Sequence, residues 1–153
     1  MNRSILLLLP AFFLLAQSRN IPGNSAIDAI EQKDKPLRCW EEENGKYSLS
    51  DPKYPLCQYF ESEGELFNVN GVDLESDDYT NILSMFGKSE NGFAFLNVCL
   101  QEAYSFRGPL AQAAVSFRCL CKRDGCNVPA RLDKFLEYNK LPLDLHHPNK
   151  DLQ

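Results

Sequence analysis

"CLCKRDGCN", residues 119–127, holds three of the chain's six cysteines. Read as the end of a strand, "FRCLCK" sends Cys119 and Cys121 to the same sheet face, because side chains alternate with period two. Neighbours on one face are poorly placed to bond each other, so each must reach elsewhere. Cys121 and Cys126 flank Lys-Arg-Asp-Gly, a turn that returns the chain within bonding distance. Cys119 is then free to reach Cys99 across the last hairpin, and Cys39 and Cys57 close the first. A zinc site would have to be all-cysteine, since the two histidines, His146 and His147, lie far along a Pro- and Asp-rich tail, and no paired C-x-x-C spacing exists. A reactive dithiol wants C-x-x-C at a helix start, and this is C-x-C. The expected role of the cysteines is therefore structural, with no metal and no cofactor.

The other end of the chain supports an oxidising destination. Arg3 precedes the apolar run "ILLLLPAFFLLA" (Ile5–Ala16), followed by small Ala16 and Ser18 at the −3 and −1 positions of a cleavage site. The run is too short for a membrane span and has the layout of a secretory signal peptide, residues 1–18. Secreted cysteines pair, and an even count of six implies three bridges. The formal net charge of −5 becomes one unit more negative when Arg3 leaves with the signal. No basic cluster is long enough to neutralise a nucleic-acid backbone or hold an anionic membrane. The C-terminus carries no apolar stretch for a lipid-anchor signal. The mature chain is expected to be secreted, extracellular and monomeric.

Residues 19–36 are polar and lack periodicity, which predicts a flexible arm. Residues 37–127 hold every cysteine and form the expected domain; residues 128–153 follow as a C-terminal helix and tail. Four dipeptides punctuate the domain: Asn44-Gly45, Asn70-Gly71, Asn91-Gly92 and Asp124-Gly125. Such pairs favour the primed turns of antiparallel hairpins. The flanking runs "LRCWE", "KYSL", "PLCQYFE", "GELFNVNG", "GFAFLNVCLQEAYSF" and "AAVSFRCLC" fit strands. Apolar residues on both faces of 93–99 predict a central strand, covered on each side. One segment departs from the β pattern: Tyr79, Ile82, Leu83 and Phe86 form a helical stripe over 77–86, with Ser76 placed to cap it. In "PARLDKFLEYNK", Leu132, Phe135 and Leu136 share the face of a second helix. The fold class expected is a small disulfide-rich β protein of antiparallel hairpins, with one inserted helix and one C-terminal helix.

These residues resemble the three-finger superfamily of snake toxins and urokinase-receptor-type domains. Asp124, Cys126 and Asn127 match its terminal signature, and "LRCW" matches its opening strand with Cys39. The resemblance covers Leu37–Asn127 and implies that Asn127 hydrogen-bonds back to the base of three finger-like hairpins. The chain departs from the pattern in the Leu120 that separates Cys119 from Cys121, in having six cysteines where many members carry eight or ten, and in a long Cys57–Cys99 span. It looks most like divergent secreted invertebrate members.

The resemblance implies a binding module that presents hairpin tips to an extracellular protein or receptor, with no reaction of its own. The sequence holds no Ser/His/Asp arrangement, no H-E-x-x-H and no phosphate-cradling glycine loop. A secreted protease inhibitor or a small hydrolase on another disulfide scaffold is the alternative. Loops on a rigid, cross-linked base are where binding usually sits. The third tip, "SFRGPLAQ" (105–112), offers Phe106, Arg107 and Leu110 as the expected partner-binding residues. Trp40 is expected to pack beside the first strand, and Glu41–Glu43 to form a solvated hairpin tip. The one standard glycosylation sequon, Asn2-Arg3-Ser4, lies within the signal peptide.

Overall fold

The structure, a computed structural model, describes residues 23–62, 67–75, 79–104 and 113–143. Residues 1–18, expected as a signal peptide, residues 105–112, expected as the third tip, Ser76, and residues 144–153, expected as a tail, lie outside the described residues. Three hairpins build two sheets: β1 (Trp40–Glu43) with β2 (Lys46–Leu49), and a four-stranded sheet of β3 (Cys57–Ser62), β4 (Asn68–Gly71), β5 (Asn97–Tyr104) and β6 (Ala114–Cys121). The larger sheet runs β4-β3-β6-β5 and every pairing is antiparallel. This is a small, disulfide-rich β protein, with three helices among the described residues.

Local chemistry explains the first hairpin. Asn44 and Gly45 both take positive φ, 54° and 75°, the geometry of the primed turn that matches strand twist. Asn91 and Gly92 do the same between Glu90 and Phe93, whose backbones exchange bonds of 2.8 and 2.9 Å. Asn70-Gly71 is no turn, because it ends β4. Gly71 is needed there for another reason: a Cβ would stand 2.1 Å from the Tyr54 ring.

The larger sheet separates two cores. On one face Leu37, Trp40, Tyr59, Val69, Val128 and Phe135 pack around the cystines, and Tyr59 stacks between Phe67 and Phe135 at ring distances of 6.0 and 4.8 Å. On the other, Leu56, Val72, Phe86 and Leu120 meet Tyr79, Ile82 and Leu83, so the predicted stripe is packed on the sheet. Its helix, α2, spans Thr80–Gly87.

Three expectations need correction. The arm at 19–36 contains a docked helix, α1 (Ser25–Gln32), capped by Asn24, whose Oδ1 accepts from the Ala26 N–H at 2.9 Å. Its Ala29 is buried, and Gln32 Oε1 accepts from the Asp124 N–H at 2.7 Å. Second, the domain does not end at 127. Helix α3 (Leu132–Lys140) buries Phe135 and Asn139, and Asn139 Nδ2 donates to the Cys126 carbonyl at 3.0 Å. Third, the strand expected to be central is an edge strand among the described residues: it begins at Asn97 and pairs there with β6 alone. Phe93 and Phe95 lie before it, in an edge-to-face contact at 5.2 Å, where the Asn91-Gly92 turn has just redirected the chain.

Candidate functional site

One bridge, Cys39–Cys57, ties the first hairpin to the second, and β3–β6 pairing adds the third. Disulfides link Cys39–Cys57, Cys99–Cys119 and Cys121–Cys126, the three pairings read from the sequence. Cys39, Cys57, Cys119, Cys121 and Cys126 are fully buried. Beside them Asn127, also fully buried, ties three strands. Its Oδ1 accepts from the Trp40 N–H at 2.9 Å, and its Nδ2 donates to the carbonyls of Trp40, Gln58 and Asn70 at 2.9, 3.1 and 3.2 Å. Only a side chain with a donor and an acceptor on one planar amide can serve both sides of Trp40 at once. Asp124 fixes the next residue of the root: it accepts from the Arg38 backbone N–H at 2.7 Å and from the Arg38 guanidinium, which holds the Arg38 pKa above its ordinary value.

Arg123 closes the root from behind. Its guanidinium is fully buried and donates to the carbonyls of Leu141 and Asn139 at 2.9 and 3.0 Å, with Asp28 of α1 at 3.5 Å. Burial pulls its pKa down, opposed by Asp28. Asp28 also accepts from the Leu143 N–H at 2.8 Å, so both helices flanking the cysteine region converge on one cation. Lys122, buried beside it, donates to the Pro55 carbonyl at 2.9 Å, and burial lowers its pKa as well.

From this root the hairpins run the same way. Tyr47, opposite Glu42 in β2, stacks on Phe67 at 5.8 Å, so the first hairpin leans along β4 away from the cystines. The last pairings of the other two, Phe60 with Asn68 and Tyr104 with Ala114, mark the end of the sheet opposite Cys57 and Cys121. The connections 63–66 and 105–112 follow those pairings, so Phe106, Arg107 and Leu110 lie outside the described residues. Trp40 is buried at the root, as expected of a packing residue.

Between the first hairpin and β4 lies a groove of about 910 Å³ that the sequence reading missed. Glu41 and Glu42 of β1 line it together with Phe60, Asn68, Asn70 and Arg118. Arg118 lies over the Phe60 ring at 5.5 Å and donates to Glu102 at 3.0 Å and to Gln58 Oε1 at 3.2 Å. Its Nη1 also donates to the Tyr79 hydroxyl. The acidic lining is engaged too: Glu41 accepts from the Tyr54 hydroxyl and lies 3.7 Å from the Lys53 ammonium. Burial and then the Glu41 bond raise the Tyr54 pKa. The groove thus offers aromatic faces, amides and charges already held in place, an arrangement suited to recognition of a polar surface. The period-two alternation Gln58-Phe60 could have placed two of its residues on one face, but Arg118 and Asn70 join them only through strand order.

The family described as "Family of unknown function (DUF5354)" matches residues 24–140, which begin at the α1 cap and end at the last residue of α3. The chain is similar to an uncharacterized protein of Caenorhabditis elegans, C02B8.3, at 47% identity over 127 residues, covering 78% of this chain and 96% of that one. No solved structure matches it. The relationship spans both flanking helices as well as the cystine-linked hairpins, and on it the chain belongs to the DUF5354 family.

Proposed function

We propose that the chain is a secreted, soluble binding module of three-finger type that presents hairpin tips to an extracellular protein or receptor and performs no catalysis. The observation that carries this reading is the common root: three hairpins leave one end in the same direction, the first two tied by Cys39–Cys57 and the third braced by Cys99–Cys119 and the β3–β6 ladder. Such a base fixes the strands before any partner arrives, which lowers the ordering cost of binding. Asn127 bonding back to β1, β3 and β4 supports the three-finger resemblance. The apolar N-terminal run supports export, with the mature chain starting at Arg19.

Phe106, Arg107 and Leu110 remain the proposed contact residues, an aromatic, a cation and an aliphatic group on the third tip. The test is affinity capture of a partner from extracellular fluid or cell surfaces, followed by Phe106→Ala, Arg107→Ala and Leu110→Ala. At least one substitution is expected to weaken binding by about tenfold or more, the ordinary effect of removing an anchor residue. Unchanged affinity in all three would remove the tip from consideration.

A further inference from the structure

Strand β5 is an edge whose backbone can be read residue by residue. The Val72 N–H donates to the Leu56 carbonyl at 3.0 Å, so the even-numbered residues of β3 bond toward β4 and its odd-numbered residues toward β6. Carrying that alternation through the Cys57–Cys121 and Tyr59–Cys119 pairs leaves Arg118 and Leu120 bonding toward β5. Val98, Leu100 and Glu102 therefore bond inward, while Asn97, Cys99, Gln101 and Ala103 turn their N–H and C=O groups away from the sheet. The Cys99–Cys119 Cα separation of 4.0 Å agrees, because close Cα pairs are the ones that exchange no ladder bonds. Among the described residues no backbone group meets this outer row.

Free edges of this length are normally blunted by Lys, Pro, a bulge or an inward charge. "NVCLQEAY" has no Lys, no Pro and an unbroken register, and its one charge, Glu102, is paired with Arg118. Leu100, at the middle of the strand, is 36% exposed. Val98, Cys99 and Leu100 are apolar on both faces of the strand, yet the fold places them outermost.

We propose that a second copy of this chain completes the sheet, β5 pairing antiparallel with β5 about a two-fold axis at Leu100, in place of the monomer expected from the sequence. The register follows from the outward row and from charge. Outward residues must face outward residues, which matches Asn97 with Ala103 and Cys99 with Gln101 of the second copy and gives every outward backbone group a partner. Leu100 then faces Leu100 as a close pair with no ladder bonds between them, where side chains approach best. Glu102 falls opposite Val98 and four residues from its counterpart, whereas an axis at Glu102 would set two carboxylates face to face. An axis at Gln101 would also match outward with outward but would bring the two Glu102 carboxylates within two residues of each other, and an axis at Val98 or Cys99 would shorten the overlap. The closed two-fold consumes both free edges and makes one eight-stranded sheet carrying two sets of hairpin ends.

The mature secreted protein should be tested by sedimentation equilibrium from micromolar to millimolar concentration, alone and as Gln101→Pro and Leu100→Lys. Proline at 101 removes an outward N–H and spares the β6 ladder, and lysine at 100 sets like charges across the axis. Wild type is expected at twice the chain mass, with dimer affinity lowered more than about tenfold in both variants while circular dichroism and the three disulfides stay unchanged. A Leu100→Cys chain should also form an intermolecular disulfide under mild oxidation. A wild type that stays at single mass throughout overturns the proposal, including the case where the edge captures an unrelated extended peptide. A dimer that survives Gln101→Pro in a folded chain overturns it equally.

Discussion

At the scale of single residues, the amide of Asn127 does more joining than any apolar contact at the root. Its four hydrogen bonds reach β1, β3 and β4 from a site with no solvent access. Asn127→Ala would leave the Trp40 N–H and C=O without a partner in the interior, while the Gln58 and Asn70 carbonyls keep their ladder bonds to each other; unmet buried polar groups cost about 1–3 kcal/mol each when water cannot replace the bond. Partial relaxation makes a total loss of about 2–4 kcal/mol the expected outcome, read from urea unfolding of the oxidised protein. Tyr59 supplies a pH signature. It is fully buried and donates to Glu61 at 2.6 Å, and burial first, then that carboxylate, raises its pKa well above the ordinary phenol value of 10.0. Below that value the phenol is neutral in both states and contributes no pH dependence. Above it the unfolded chain ionises while the folded chain does not, so stability falls as pH rises. Melting temperatures taken from pH 8 upward should decline past about pH 10, and Tyr59→Phe should flatten that decline. The role of Asn127 was implied by the family resemblance that the "CN" ending of the cysteine motif carries. That of Tyr59 was not, because nothing local says that Phe67 and Phe135 close over it.

At the scale of elements, legibility follows how far an element's reasons lie from its own sequence. Helix α2 and the β1–β2 hairpin carry theirs locally, in the Tyr79–Phe86 stripe and in Asn44-Gly45. Helix α1 does not: it has eight residues, short for a helix stable by itself, and is held by Asp124, Arg123 and Leu143, about a hundred positions away in sequence. Periodicity found apolar groups on both faces of 93–99, but it cannot distinguish a central strand from an edge, which only strand order decides. Arg123 is where the distant contacts meet. Arg123→Met should cost about 2–4 kcal/mol by stranding the Asn139 and Leu141 carbonyls and unpairing Asp28. Arg123→Lys should recover little, since one ammonium cannot span both carbonyls in the planar geometry of a guanidinium. Native-state hydrogen exchange locates the damage: α1 and α3 should lose protection first, while β3 and β6 keep theirs.

At the scale of the molecule, the fold is a thin sheet with a small core on each face, stapled at one end. Loops of 18 and 20 residues closed by Cys39–Cys57 and Cys99–Cys119 remove about 3 kcal/mol each from the unfolded chain's entropy, and the five-residue closure about 2. Those magnitudes rival the whole net stability of a domain, about 5–15 kcal/mol, so the cystines decide whether this chain folds. The even count, the C-x-C spacing and the turn between Cys121 and Cys126 made that knot readable from the sequence. The groove beside β4 was not readable, because it is assembled from β1, β3, β4 and β6 together.

The whole molecule depends on one bridge that ties the first two hairpins at their roots and two more that brace the third at the same end. Mass-spectrometric mapping of the purified, non-reduced protein tests this arrangement most directly. The account predicts peptides joined through Cys39–Cys57, Cys99–Cys119 and Cys121–Cys126, with no free thiol; any other pairing, or a cysteine that alkylates without reduction, would contradict it.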